Sequence, residues 1–430
     1  MTTRGVSASD AQREPASRGQ ILSWALFDFA NTAFYVLILT VGYPLYFKEI
    51  VAGREFAGDF WWGAAFSISM AIVAILSPIL GAAADMGGGK KRFLALFTAL
   101  CILATASMFF VHAGMLVSAV LLLIAANVGF EAGLVFYDAF LPELTTERSY
   151  GRVSGYGFAV GYAGSLATLA VAYPLFAGGF EETNLINIRL SFLLAAGFFF
   201  VFAIPIFFVV PDRQQSSDWN WRFARYGLRR VRKTFQEFQQ YRNVGKFLLA
   251  YFIYIDGINT VIIFSSIFAR ETLHLDIGEI VIFFAMVQTT ALLGSVAFGV
   301  LSDHWGHKPT LSVTLALWLV IVVLAFFVQS KTVFYSIGIA AGVALGSSQS
   351  TSRSLMSQIT PPEKKTEFFG FFSFFGTASA IIGPFMFGVL SSNFNQRLAI
   401  LSVGCFIVAG FFLLQRVEAP RISQQDSVQS

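Results

Sequence analysis

Four carboxylates, three asparagines and one arginine stand inside stretches of sequence that are otherwise almost wholly apolar. In WALFDFANTAFY (residues 24–35), Asp28, Asn31, Thr32 and Tyr35 recur at i, i+3, i+4 and i+7, which is one face of a helix. Asp256, Asn259 and Thr260 repeat the first three of these positions. Asn127, Glu131 and Asp138 fall at i, i+4 and i+11, again one face, and Gly346, Gln349 (or Ser350) and Arg353 share another. An ionisable side chain at the centre of a bilayer costs about 2.5–3.5 kcal/mol on insertion scales, so it is retained where it faces a partner or a water-filled path. A carboxyl group on such a face can take up and release a proton as its surroundings change. The chemistry that these residues offer is therefore proton exchange and the binding of a small polar solute. Glu131, the deepest, is the first candidate for a proton or cation site. Arg353 needs a carboxylate, either Glu131, Asp138 or one carried by a ligand, and its bidentate geometry suits an anionic or zwitterionic solute. The competing role is structural: hydrogen-bonded contacts between helices and a static ion pair.

The elements that must position these residues follow from composition. Of 430 residues, 56% are hydrophobic and 49 are Phe, while 13% are charged, against about 25% charged in an average soluble domain. Such a chain is expected to be an integral membrane protein, since a soluble fold of this size could not cover that apolar surface. A membrane helix needs about 20 apolar residues. Twelve candidate spans meet this: 21–47, 60–84, 93–112, 114–141, 151–177, 189–210, 245–269, 279–301, 309–329, 332–357, 367–390 and 395–415. Of the 29 lysines and arginines, 22 fall on the side holding both tails and the loops after even-numbered spans, 6 on the other side, and Arg353 within a span. Both termini are thus expected to be cytoplasmic. The polar start of the chain reads as a cytosolic tail and not as a cleaved signal. The two cysteines, Cys101 and Cys405, lie in separate apolar runs and suggest neither a disulfide nor a metal site.

The expected organisation is a tail at 1–20, a six-helix bundle at 21–210, a basic linker at 211–244, a second six-helix bundle at 245–416 and a tail at 417–430. The linker interleaves Trp219, Trp221 and Phe223 with six basic residues, from Arg222 to Lys233. That mixture suits a partly helical segment lying on anionic lipid. The halves repeat one another. Asp28-x-x-Asn31-Thr32 matches Asp256-x-x-Asn259-Thr260; Gly81-x-x-x-Asp85-x-x-Gly88-x-Lys90 matches Gly299-x-x-x-Asp303-x-x-Gly306-x-Lys308; and Pro142-Glu143 matches Pro362-Glu363, at offsets of 228, 218 and 220 residues. Asp85 and Asp303 each end an even-numbered span, where the negative pole of the helix disfavours a carboxylate. A basic residue or the N-terminus of another helix must therefore stabilise each of them.

The motif after span 2, its copy after span 8 and the layout of six plus six spans resemble the major facilitator superfamily. WALFDFANTAFY, YDAFLPEL (137–144), GRVSGYGFAVGY (151–162), QSTSRS (349–354) and PPEKKTEFFGFF (361–372) resemble, more narrowly, the vacuole effluxer family in its bacterial form. This resemblance implies an all-α membrane fold of twelve helices in two pseudo-symmetric six-helix bundles, with the solute path between them. It also implies a bacterial cytoplasmic membrane, and a cytoplasmic gate built from Gly81, Asp85, Gly88, Lys90, Asp303, Gly306 and Lys308, whose aspartates latch the halves. Amino acids or related zwitterions become the favoured solutes, with export as one direction. The family pattern usually carries asparagine before AFLPEL; Asp138 stands there in this sequence.

Several classes are disfavoured. The sequence has no Gly-x-x-x-x-Gly-Lys-Ser/Thr loop and no His-Glu-x-x-His, and no nucleophile stands beside an evident base. Neither an enzyme nor a cofactor is expected, nor a nucleic acid or an obligate protein partner. His304 and His307, three apart, read as part of a turn and not as a metal site. The expected partners are a small solute, protons and the bilayer. The alternative class is a transporter-like sensor that binds a ligand without moving it, favoured only by the basic linker.

Overall fold

The computed structural model describes residues 16–40, 42–52, 57–84, 89–176, 178, 181–212, 241–271, 273–275, 277–379, 386, 387, 390 and 396–418. Asp85 and Gly88, the linker from 213 to 240 and the outer parts of both tails lie outside these residues. Among the described residues there are twelve helices of fifteen residues or more: α1 (Arg18–Phe34), α2 (Ala57–Ala83), α3 (Lys90–Ser107), α4 (Leu116–Asp138), α5 (Tyr150–Phe176), α6 (Leu185–Val209), α7 (Arg242–Glu271), α8 (Ile277–Trp305), α9 (His307–Phe327), α10 (Lys331–Ile359), α11 (Lys365–Ser379) and α12 (Gln396–Gln415). No strand occurs among the described residues.

Local chemistry explains the boundaries. Ser17 begins α1 with a capping box: its hydroxyl accepts from Gln20 N (3.3 Å), while its own N–H donates to Gln20 Oε1 (2.9 Å). Beyond Phe34 the helix widens into π-type turns over Tyr35–Thr40 before the short segment Gly42–Tyr46. Gly89 and Gly306 precede α3 and α9 with φ of 74° and 95°, a conformation that suits glycine, and Gly306 lets the chain pass from α8 to α9 in a single residue.

Ten of the helices are apolar and long enough to cross a membrane. Helix α10 is absent from that set because its centre reads SSQSTSRS. It nevertheless buries this stretch. Most of its serine hydroxyls fold back onto their own helix: Ser347 to the Val343 carbonyl (2.8 Å), Ser348 to Leu345 (3.0 Å), Ser352 to Ser348 (2.5 Å) and Ser357 to Arg353 (2.9 Å), while Ser350 donates to the Gly151 carbonyl of α5 (3.4 Å). Polar groups satisfied within the helix can leave water at little cost.

The packing repeats between the halves. Helix α1 packs on α5 and α6 as α7 packs on α11 and α12; α4 packs on α2 and α3 as α10 packs on α8 and α9. Across the halves, α5 meets α8 and α11 meets α2 in equivalent pairs. Two separate apolar cores result, one around Phe27, Phe136 and Phe192, the other around Phe247, Trp318 and Phe369. The start of α1 and the end of α12 lie at one end of the molecule, called the terminal face below: Ala16 N bonds the Leu144 carbonyl after α4, and Lys308 at the start of α9 bonds the Val417 carbonyl after α12.

Candidate functional site

The halves are tied together at and above the terminal face. Asp303, at the end of α8, accepts from the backbone amides of Gly151 (2.7 Å) and Arg152 (2.9 Å), the first turn of α5 in the other half. The stabilising partner that its position requires is a helix N-terminus, whose amides lack partners within their own helix. The crossing is tight: a Cβ on Gly299 would come within 2.5 Å of the Gly151 carbonyl oxygen, and one on Gly81 within 2.4 Å of the Thr366 carbonyl oxygen. The first glycine of each motif copy is thus the point where α8 touches α5 and α2 touches α11, in matching fashion.

The register of the two copies differs. Lys90 opens α3 and is buried, bonded to Glu143 and facing the Phe140 ring (5.7 Å). The residue that opens α9 is His307, also buried, so Lys308 is one position out. Lys308 turns to the end of α12, donating to the carbonyls of Gln415 (2.8 Å) and Val417 (2.7 Å) within its own half. Matching by motif aligns Lys90 with Lys308; helix position aligns it with His307. Replacing Asp303 with alanine removes two charge-assisted hydrogen bonds, each worth about 1.5–3 kcal/mol, and is expected to favour separation of the halves at this face. Ser350→Cys, introduced into a chain lacking Cys101 and Cys405, reports this as faster labelling by a water-soluble thiol reagent in Asp303→Ala. Equal labelling rates would show that Asp303 does not hold the face shut.

Deeper in, Arg353 enters from α10 and is 2% exposed. Its Nη1 donates to Asp138 Oδ1 (2.9 Å) and lies 3.5 Å from Asp28 Oδ2. Its Nε donates to Ser154 Oγ (3.0 Å) and Nη2 to the Ser154 carbonyl (2.8 Å). Phe158, Trp24 and Tyr137 surround the guanidinium, with ring centroids at 4.0, 4.9 and 5.8 Å. The Tyr137 hydroxyl donates to Asp28 Oδ2 (2.8 Å), and Asn31 Nδ2 lies 3.4 Å from Asp28 Oδ1. One turn before Arg353 in α10, Gln349 Oε1 accepts from the Tyr162 hydroxyl of α5 (2.5 Å).

The structure therefore brings Asp28, Asn31, Asp138, Gln349 and Arg353 into one cross-half cluster and leaves other candidates outside it. Arg353 reaches α4 at Asp138, not at Glu131. Glu131 is half-buried within electrostatic reach of Asp138 and Tyr35, and has neither a hydrogen bond nor an ion pair among the described residues. Tyr35 is exposed, at the point where α1 widens. Asn127 is buried and donates to Ser69 of α2 (2.7 Å), joining two helices of one half. Asp256 is buried in α7 and Asn259 half-buried beyond it; neither bonds to the cluster. The motif residues Asp85 and Gly88 fall outside the described residues. Reading polar faces overlooked Trp24, Tyr137, Ser154, Phe158 and Tyr162. The signal was present: Trp24 is one turn before Asp28, Tyr137 adjoins Asp138, and the other three lie in GRVSGYGFAVGY.

Two pseudo-symmetric six-helix bundles with a polar cluster between them are the fold of the major facilitator class. Solved structures share the fold. The human organic anion transporter MFSD10 superposes with a TM-score of 0.75 at 14% identity, covering 94% of this chain and all of that one. The proton:xylose symporter XylE gives 0.70 at 17% identity, covering 93% and 95%. A bacterial homologue of the iron transporter ferroportin in an outward-facing state gives 0.69 at 14%, covering 92% and 98%. The family described as "Vacuole effluxer Atg22 like" matches residues 63–427, and the chain belongs to it. Among its relatives, the uncharacterized MFS-type transporter YxiO of Bacillus subtilis is 29% identical over 416 residues, 94% of this chain and 97% of that protein. Autophagy-related protein 22 of Saccharomyces cerevisiae is 23% identical over 382 residues, 76% and 72% of the respective chains.

Proposed function

We propose that this membrane transporter is a secondary active carrier that moves a small polar solute by alternating access, coupled to protons, with amino acids and related zwitterions as cargo. The observation that carries the reading is Glu131: a half-buried carboxylate in the middle of a membrane helix, with no hydrogen bond or ion pair among the described residues, beside a cross-half cluster holding both charge signs. A carboxylate so placed is available to a proton or to a solute, whereas Asp28 and Asp138 are engaged. The effluxer description of the family supports export as one direction. With both termini in the cytoplasm, as the distribution of basic residues favours, the bonded terminal face is the cytoplasmic one. The arrangement then corresponds to an outward-facing state.

The test is uptake by proteoliposomes under an imposed pH gradient, using a panel of amino acids, sugars, nucleosides and organic acids. Accumulation of an amino acid that collapses when a protonophore is added is the expected result. Accumulation of none of the panel by well-folded protein would sink the reading. Accumulation that is indifferent to the protonophore would remove proton coupling alone.

A further inference from the structure

All the partners of the Arg353 guanidinium belong to the opposite half of the molecule. Nη1 faces Asp138 and Asp28 at 2.9 and 3.5 Å. Nε and Nη2 are taken by the hydroxyl and carbonyl of Ser154, and Phe158 and Trp24 lie against the group at 4.0 and 4.9 Å. A planar organic cation enclosed by carboxylates and aromatic rings is the geometry by which proteins recognise guanidinium and ammonium groups. Here the cation happens to come from the protein itself.

Three walls of this enclosure, Trp24, Asp28 and Tyr137, are tied to one another without the arginine. Trp24 Nε1 donates to the Tyr137 carbonyl (3.1 Å), and the two rings stack with centroids 4.8 Å apart and planes 9° from parallel. The Tyr137 hydroxyl fixes Asp28 Oδ2, and Asn31 lies beside Oδ1. These contacts join α1 and α4 of one half only, so they persist when α10 moves away. The enclosure then keeps two carboxylates that had faced the same nitrogen, and among the described residues no basic side chain of its own half is bonded to either. Two like charges sharing one enclosure, Asp28 buried and Asp138 half-buried, call for a cation or a proton.

We propose that the enclosure formed by Trp24, Asp28, Tyr137, Asp138 and Phe158 is a binding site for the ammonium or guanidinium group of a small organic ligand, which Arg353 fills while the terminal face is closed and vacates when the halves part. A zwitterion completes the exchange: its cationic end replaces Arg353 in the enclosure, and its carboxylate takes the freed Arg353. The broken ion pair is thereby replaced by two new ones. This deepens the alternating-access reading and rests on it.

The experiment measures binding of ethylguanidinium chloride to the full chain in detergent by thermal shift, with sodium chloride at equal ionic strength as control. Arg353→Ala is expected to melt below wild type and to be restored, saturably, by millimolar ethylguanidinium, while wild type responds little because its site is filled. Adding Asp138→Asn to Arg353→Ala should abolish the saturable response. Should Arg353→Ala not fold, Asp303→Ala keeps both the enclosure and Arg353 but frees the face. It is expected to bind ethylguanidinium about tenfold more tightly than wild type, because the vacated state is more populated. A response that survives Asp138→Asn, or no response in either Arg353→Ala or Asp303→Ala, would overturn the proposal. Binding in detergent needs no gradient. Failed uptake with intact binding would therefore remove the transport reading and leave the enclosure standing; intact uptake without binding would do the opposite.

Discussion

Arg353→Ala is expected to cause the largest loss of stability of any single substitution in the cross-half cluster. Removing one partner of a buried ion pair costs about 3–5 kcal/mol, because the remaining charge is left without compensation. Here two carboxylates are stranded at once, Asp28 and Asp138, and three aromatic rings lose the group that they enclose. For a chain of this size the fall in melting temperature is about 3–6 °C, read by differential scanning fluorimetry in detergent. Arg353→Lys should fall between, since an ammonium can face Asp138 but cannot also satisfy Ser154 with the fork geometry seen here. The double variant Arg353→Ala with Asp138→Asn should recover part of the loss, because it removes one stranded charge, and the non-additivity measures the coupling directly. A melting temperature for Arg353→Ala within a degree of wild type would mean that the closed cluster is not the state populated in detergent.

Glu131→Gln is expected to have the largest effect on transport and almost none on folding. Its side chain makes no hydrogen bond or ion pair among the described residues, so an amide of the same shape should change stability by only about 0.5 kcal/mol. The amide cannot exchange a proton. Uptake driven by a pH gradient should therefore vanish, while exchange of labelled for unlabelled substrate across the membrane continues. These two measurements on one preparation separate coupling from binding. Loss of both would make Glu131 a substrate ligand and not a proton carrier, and retention of both would remove it from the mechanism. Asp138→Asn provides the contrast: it weakens a bonded carboxylate, so it should lower the melting temperature as well as alter transport.

Much of the architecture could be read from the residues because a bilayer imposes a nearly one-dimensional rule. Backbone polar groups must be satisfied within each span, apolar length sets the spans, and basic residues set their direction. The spans read from the sequence overlap the twelve helices, including α10, whose serines lower its hydropathy but bond back to its own carbonyls. The internal repeat was visible as well, since the motif glycines Gly81 and Gly299 mark equivalent crossings. The motif also placed a carboxylate at an unfavourable helix end, which required a partner such as Asp303 finds at the start of α5.

The residues alone determined, then, that this chain spans a membrane, that its halves are related, and which side chains lie on common helical faces; each depends on spacing within a single segment. Tertiary structure decided which faces meet. Asp28 and Asp256 occupy matching positions in the sequence, yet only Asp28 joins Arg353. Glu131 and Asp138 share one face of α4, yet only Asp138 lies at the depth that the arginine reaches. The turn before α9 also shifted the second motif by one residue, burying His307 where Lys90 is buried in the first. The physical reason is common to these cases. A contact across the two bundles depends on the rotation and depth of both helices, which follow from the packing of all their neighbours and not from the order of residues in either one.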